Sequence, residues 1–70
     1  MTVQVHVNGE ARGVRARTVA QLLDELLGEH TSRDGVAVAV DGEVVPRGVH
    51  ATFTLREGAR IEVIRAVGGG

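Results

Sequence analysis

The sequence predicts a two-layer α+β domain, a mixed four- to five-stranded sheet packed on one helix and followed by a glycine tail. Three observations lead there. Valine alternates with other residues over 2–7 and again over 36–40, the period of a strand with one buried face. Val19, Leu22, Leu23, Leu26 and Leu27 recur at helical spacing and form a single apolar stripe. Asn8-Gly9 and Asp41-Gly42 each follow an alternating run, where a tight hairpin turn requires residues that tolerate positive φ.

Taken in order, residues 2–7 put Val3, Val5 and Val7 on one face and Thr2, Gln4 and His6 on the other. After Asn8-Gly9 a weaker strand returns through Val14 and Ala16, with Arg12, Arg15 and Arg17 outward. Thr18 opens the helix, because its hydroxyl can accept an amide of the first turn and Gln21 stands three residues on, as in a capping box. Gly28 is placed to end it in the left-handed region, so the helix spans about 18–28.

Residues 29–35 are polar and read as a loop. Residues 36–40 form a strand with valines on one face and alanines on the other, and Glu43-Val44-Val45 returns after the turn. Pro46 has no amide to donate and so ends that strand at a sheet edge. Residues 47–51 are irregular with room for one helical turn, residues 52–55 suit a short strand, and Glu57-Gly58 is a turn. Residues 60–67 make the last strand.

A hairpin, a helix, and further strands that must cover the helix stripe give two packed layers. With the last strand beside the first, the two run parallel, and the arrangement is a β-grasp (ubiquitin-like) fold over residues 1–67, with 68–70 as a flexible tail. The sheet face away from the helix stays partly open, and Ala37, Ala39, Ile64 and Ala66 fall on it as an apolar patch of the kind that docks proteins.

Length and composition narrow the function. A 70-residue chain buries only roughly 60% of its unfolded surface, which leaves no room for a deep pocket with its own supporting residues. Eight arginines and nine acidic residues are scattered to a net charge of −1, and Phe53 is the single aromatic residue. Without a basic block or a stacking surface, nucleic acid is not the expected partner. No apolar run is long enough for a membrane span or a signal sequence; the early strand after Met1 reads as that of a cytoplasmic protein. There is no cysteine, hence no thiolate metal site or thiol nucleophile, and no lysine that could form a Schiff base or accept a conjugated tail.

No catalytic constellation stands out. His6, His30 and His50 are far apart and share no ligand spacing with acidic residues, so they read as solvated or structural. Asp24 and Glu25 lie on the polar helix face, and Glu29 just beyond Gly28, where solvation explains them better than acid–base work. Gly68-Gly69-Gly70 follows a strand but precedes no helix N-terminus, so it is no phosphate loop. The chemistry that remains is that of the terminal carboxylate of Gly70, carried on a slender run that can enter a narrow channel. A carboxylate is a poor electrophile and needs activation, as an acyl-adenylate made by an ATP-using partner.

These residues match a known family. Val7-Asn8, the helix opening Thr18-Val19-Ala20-Gln21-Leu22-Leu23, Val38-Ala39-Val40-Asp41, Val44-Val45-Pro46-Arg47, Leu55 with Gly58, the run from Ile61 to Val67, and Gly69-Gly70 together resemble the ThiS family of sulfur carriers in thiamine biosynthesis. The resemblance covers the whole chain and implies a β-grasp fold. It also implies a cycle in which an adenylating enzyme of the ubiquitin-activating (ThiF/MoeB) type uses ATP to activate the carboxylate of Gly70. Sulfur, mobilised from cysteine by a desulfurase, then leaves a terminal thiocarboxylate, and thiazole synthase takes that sulfur. The carrier itself binds no cofactor, holds no metal and is not an enzyme. Gly69 and Gly70 carry over as the family's terminal pair, with Gly68 and Gly69 threading into partner sites. Arg65, Ala66 and Val67 are the expected docking residues beside the tail. Two positions depart from the family: Gly68, where another residue is common, and Ala59, where an acidic residue usually follows the turn glycine.

Three alternatives stay open. The sulfur of a carrier of this kind can go to molybdopterin, cysteine, a thiosugar or a thioacid natural product. A β-grasp interaction module with an inert tail fits the same sequence. So does a ubiquitin-like modifier, although without lysine it cannot build chains through its own side-chain amines.

Overall fold

The computed structural model describes residues 1–66. The elements are β1 (Val3–Val7), β2 (Glu10–Val14), α1 (Val19–Leu27), β3 (Val36–Val40), β4 (Glu43–Val45), a 3₁₀ turn (Arg47–Val49) and β5 (Arg60–Arg65). They form one mixed sheet in the order β2-β1-β5-β3-β4. β1 and β5 are parallel, as expected, and the remaining pairs are antiparallel. The domain is therefore a β-grasp fold with five strands. Residues 52–55 do not form one of them, since Thr54 makes only an isolated bridge to Thr18. Their backbone is used elsewhere, as the helix N-terminus shows below.

Both hairpins form where their turn residues require. Asn8 and Asp41 take φ of 51° and 50°, and Gly9 and Gly42 both take 86°. Positive φ at both central positions matches the right-handed twist of the flanking strands. The register of each hairpin then sends Val5, Val7 and Val14 of the first, and Val38, Val40 and Val45 of the second, inward.

Val5, Val7, Val14, Val38, Val40, Val45 and Ile61 line the inner sheet face and bury Val19, Leu22 and Leu23 of α1. Removing each of those helix side chains from water contributes about 1.5–3 kcal/mol. Leu26 and Leu27 are partly buried and pack against the margin of this core.

The start of α1 leaves no orphan donor in its first turn. The Val19 N–H donates to the Phe53 carbonyl at 3.0 Å and the Ala20 N–H to the His50 carbonyl at 2.9 Å. Thr18 Oγ1 accepts the Gln21 N–H at 3.2 Å. These are groups that a helix cannot satisfy internally. The capping box is shifted by one residue: Gln21 Oε1 accepts from the Arg17 N–H at 2.8 Å, ahead of the cap. At the other end Gly28 stops the helix at φ 94° and ψ 145°. That is outside the left-handed helical well expected for it, in a region open essentially to glycine alone.

His50 is buried, and its ring Nε2 donates to the Val45 carbonyl at 2.9 Å. It ties the 3₁₀ segment to the edge strand, a structural role. Ala59 is also buried, and its N–H closes the turn onto the Arg56 carbonyl at 3.1 Å without help from an acidic side chain.

Candidate functional site

The candidate site is the end of β5, and its geometry follows from which neighbours hold that strand. Along β5 the residues alternate in burial, with Ile61 inside, Glu62 outside, Val63 half-buried and Ile64 outside. The same alternation holds in β3, where Val38 and Val40 are buried and Ala37 is exposed. Pairing sets Ala37 opposite Ile64, and Ala39 opposite both Glu62 and Val44. These residues share the face away from the helix.

That face carries large exposed apolar groups: Ile64 is 60% exposed and Val44 75%. Val44 was not in the patch expected from sequence. The signal for it was present, because Val45 must point inward and its neighbour therefore outward. Glu62 lies within the patch and gives it one charge. Ala66 is exposed and continues the parity of Glu62 and Ile64.

Arg65 stands elsewhere. It is exposed and pairs with Val36, and strand alternation puts its side chain on the helix side of the sheet, with Ile61 and Val63. A protein seated on the open face would meet Arg65 only by wrapping the end of β5. Val67, Gly68, Gly69 and Gly70 lie outside the described residues.

Two residues, Gly35 and Asn8, fix the end of β5. On the β3 side, the Ala66 N–H donates to the Gly35 carbonyl at 2.8 Å. On the β1 side, backbone pairing ends at Val7 with Ile61, followed by the Asn8 N–H donating to the Ile61 carbonyl at 2.9 Å. The Asn8 side chain then takes over. Its Oδ1 accepts the Val63 N–H at 2.9 Å, and its Nδ2 donates to the Val63 carbonyl at 3.3 Å. Neither contact was legible in the sequence, where Asn8 and Gly35 read only as turn and loop residues.

Nothing else in the described part makes a reaction centre. His6 and His30 are exposed and His50 is spent on Val45. Asp24, one of the acids of the polar helix face, is paired with Arg33. Among the described residues no three His, Cys, Asp or Glu side chains converge as a metal site. A cleft of about 270 Å³ beside Phe53 is lined by Asp41, Glu43 and Arg56, with no nucleophile set against a base. Among the described residues no helix is long and apolar enough to cross a membrane.

Known proteins resemble this arrangement. The model of the ThiS family matches residues 5–70. A thiazole synthase of Magnetococcus marinus is 35% identical over 68 residues, which is 97% of this chain and 20% of that protein. The chain thus spans about a fifth of the length of this curated relative. The crystal structure of the thiamine biosynthesis protein (ThiS) of Geobacter metallireducens superposes with a TM-score of 0.77 at 28% identity, covering 97% of this chain and 100% of that one. A solution structure of a thiamine biosynthesis protein from the same organism gives 0.75 at 28% identity, over 97% of this chain and 88% of that one.

Proposed function

The chain belongs to the ThiS family, and on that premise we propose that it is a sulfur carrier of thiamine biosynthesis whose working group is the carboxylate of Gly70. The observation that carries this reading is the extent of the family match, which runs through Gly69 and Gly70. In the proposed cycle an oxygen of that carboxylate attacks the α-phosphorus of ATP on an adenylating enzyme and releases pyrophosphate. The acyl-adenylate is electrophilic where the carboxylate was not. Hydrosulfide adds at its carbonyl carbon, the C–O bond to AMP breaks, and a thiocarboxylate remains. If the sulfur arrives instead as a protein persulfide, the product is an acyl disulfide, and a thiol must reduce its S–S bond to release the thiocarboxylate. The acceptor we propose is thiazole synthase, a reading supported by the match to a protein of that name.

In this reading the described domain is a handle and contributes no catalytic side chain. Its open face, with Ala37, Ala39, Val44 and Ile64, offers the adenylating enzyme an apolar surface, and Arg65 and Ala66 lead from it into Val67 and the glycines. A side chain at Gly69 or Gly70 would widen a run that has to enter a narrow channel.

The missing cysteine supplies the test. The protein is incubated with extract of its host, ATP and cysteine, then treated with a thiol-alkylating probe and weighed intact. A single ATP-dependent adduct that maps to the Gly70 peptide is the expected result. No adduct, in an extract that makes thiocarboxylate on a known carrier, would leave an inert β-grasp interaction module. Alkylation is needed because oxidation of Met1 nearly equals an oxygen-to-sulfur exchange in mass.

A further inference from the structure

Asn8 does two jobs with one residue. Its backbone, at φ 51°, makes the first corner of the β1–β2 turn. Its side-chain amide faces the other way, into β5, and bonds both the N–H and the carbonyl of Val63. A carboxamide has the donor and acceptor of a peptide group. Here it stands where the next peptide of β1 would have stood had the chain not turned away at Gly9.

The parity of β5 shows why this matters. The Ile61 carbonyl and both Val63 groups point to the β1 side, whereas the Ala66 N–H points to β3 and Gly35. Beyond Ile61 the main chain of β1 has nothing further to offer β5. Without Asn8 the last part of the strand would be held along one edge only, by β3.

We propose that Asn8 is a positioning residue for the carrier reaction: it extends the parallel β1–β5 ladder by one rung and so sets where Ala66, and with it the tail, begins. This rests on the carrier reading above. The four residues that follow Ala66 can span at most ~14 Å. The point at which Ala66 leaves β5 therefore bounds the space that Gly70 can reach. Asn8 touches no substrate in this account and acts only through Val63.

The variant Asn8→Gly separates this role from the turn, because glycine accepts the backbone geometry and removes only the amide. Hydrogen exchange followed by NMR is expected to show the Val63 amide exchanging at least ~10-fold faster, with the Leu22 and Val38 amides changed far less. Adenylation by the host activating enzyme, followed as ATP–pyrophosphate exchange, is expected to show a several-fold higher KM for the carrier with kcat nearly unchanged. Asn8→Asp keeps an acceptor for the Val63 N–H and is expected to restore part of both effects. Unchanged Val63 exchange in Asn8→Gly would remove the clamp. Faster exchange with unchanged KM would leave a clamp that does not position the tail. Failure of the unsubstituted protein to be adenylated, with the Val63 result as expected, would overturn the carrier reading and the positioning role while leaving the Asn8–Val63 rung in place.

Discussion

Gly35 accepts the Ala66 N–H at 2.8 Å, and a β-carbon on Gly35 would come within 3.3 Å of the Ala66 β-carbon. Gly35 also holds φ at +76°, where an L side chain is strained. Both facts point to Gly35→Ala as a substitution felt at the far end of β5. The expected loss is about 1–2 kcal/mol of stability, most of it from the backbone. Urea titration measures the loss, and a shifted Ala66 amide resonance locates it.

Thr18→Ala removes the acceptor for the Gln21 N–H and is expected to cost about 1 kcal/mol. Gln21→Ala is expected to cost less, because the Arg17 N–H that it leaves is exposed and water can take it. Thermal melts of the two variants side by side give the order.

Leu22 is fully buried under the sheet. Leu22→Ala is expected to cost about 2–5 kcal/mol, a large share of what so small a core supplies. Loss of a cooperative urea transition is the extreme outcome; a change under about 1 kcal/mol would mean that Leu22 is not enclosed between helix and sheet.

The exposed face separates docking from folding. Ile64→Thr and Val44→Thr keep a β-branched residue in each strand, so stability is expected to change by no more than about 0.5 kcal/mol. If the open face seats the adenylating enzyme, KM for the carrier rises several-fold in both. Arg65→Glu tests the other side of the strand: unchanged adenylation kinetics would confine the docking surface to the open face.

Deleting Gly69 and Gly70 is expected to abolish the alkylatable adduct while leaving the melting temperature in place, because two glycines bring no side chain to a core that, among the described residues, runs from Val5 to Ile61. A functional truncated protein would exclude a carrier acting through those glycines.

The sequence by itself determined the helix, the five strands that form and their order, because these depend on short-range rules. Valine alternation, the leucine stripe and the two turn dipeptides act within about ten residues. The family resemblance reached the same fold from the whole chain. What only the tertiary structure decided depends on backbone groups brought together from distant parts of the chain. Residues 52–55 look like a strand by composition, yet the Phe53 carbonyl is used to satisfy the first amide of α1. His50 is indistinguishable from a solvated histidine until the Val45 carbonyl arrives beside it. Arg65 follows Ile64 in the chain but falls on the opposite side of the sheet. Asn8 shows the limit most clearly. Its preference for a turn is local and legible, whereas its bonds to Val63 join residues 55 apart and exist only once β5 lies alongside β1.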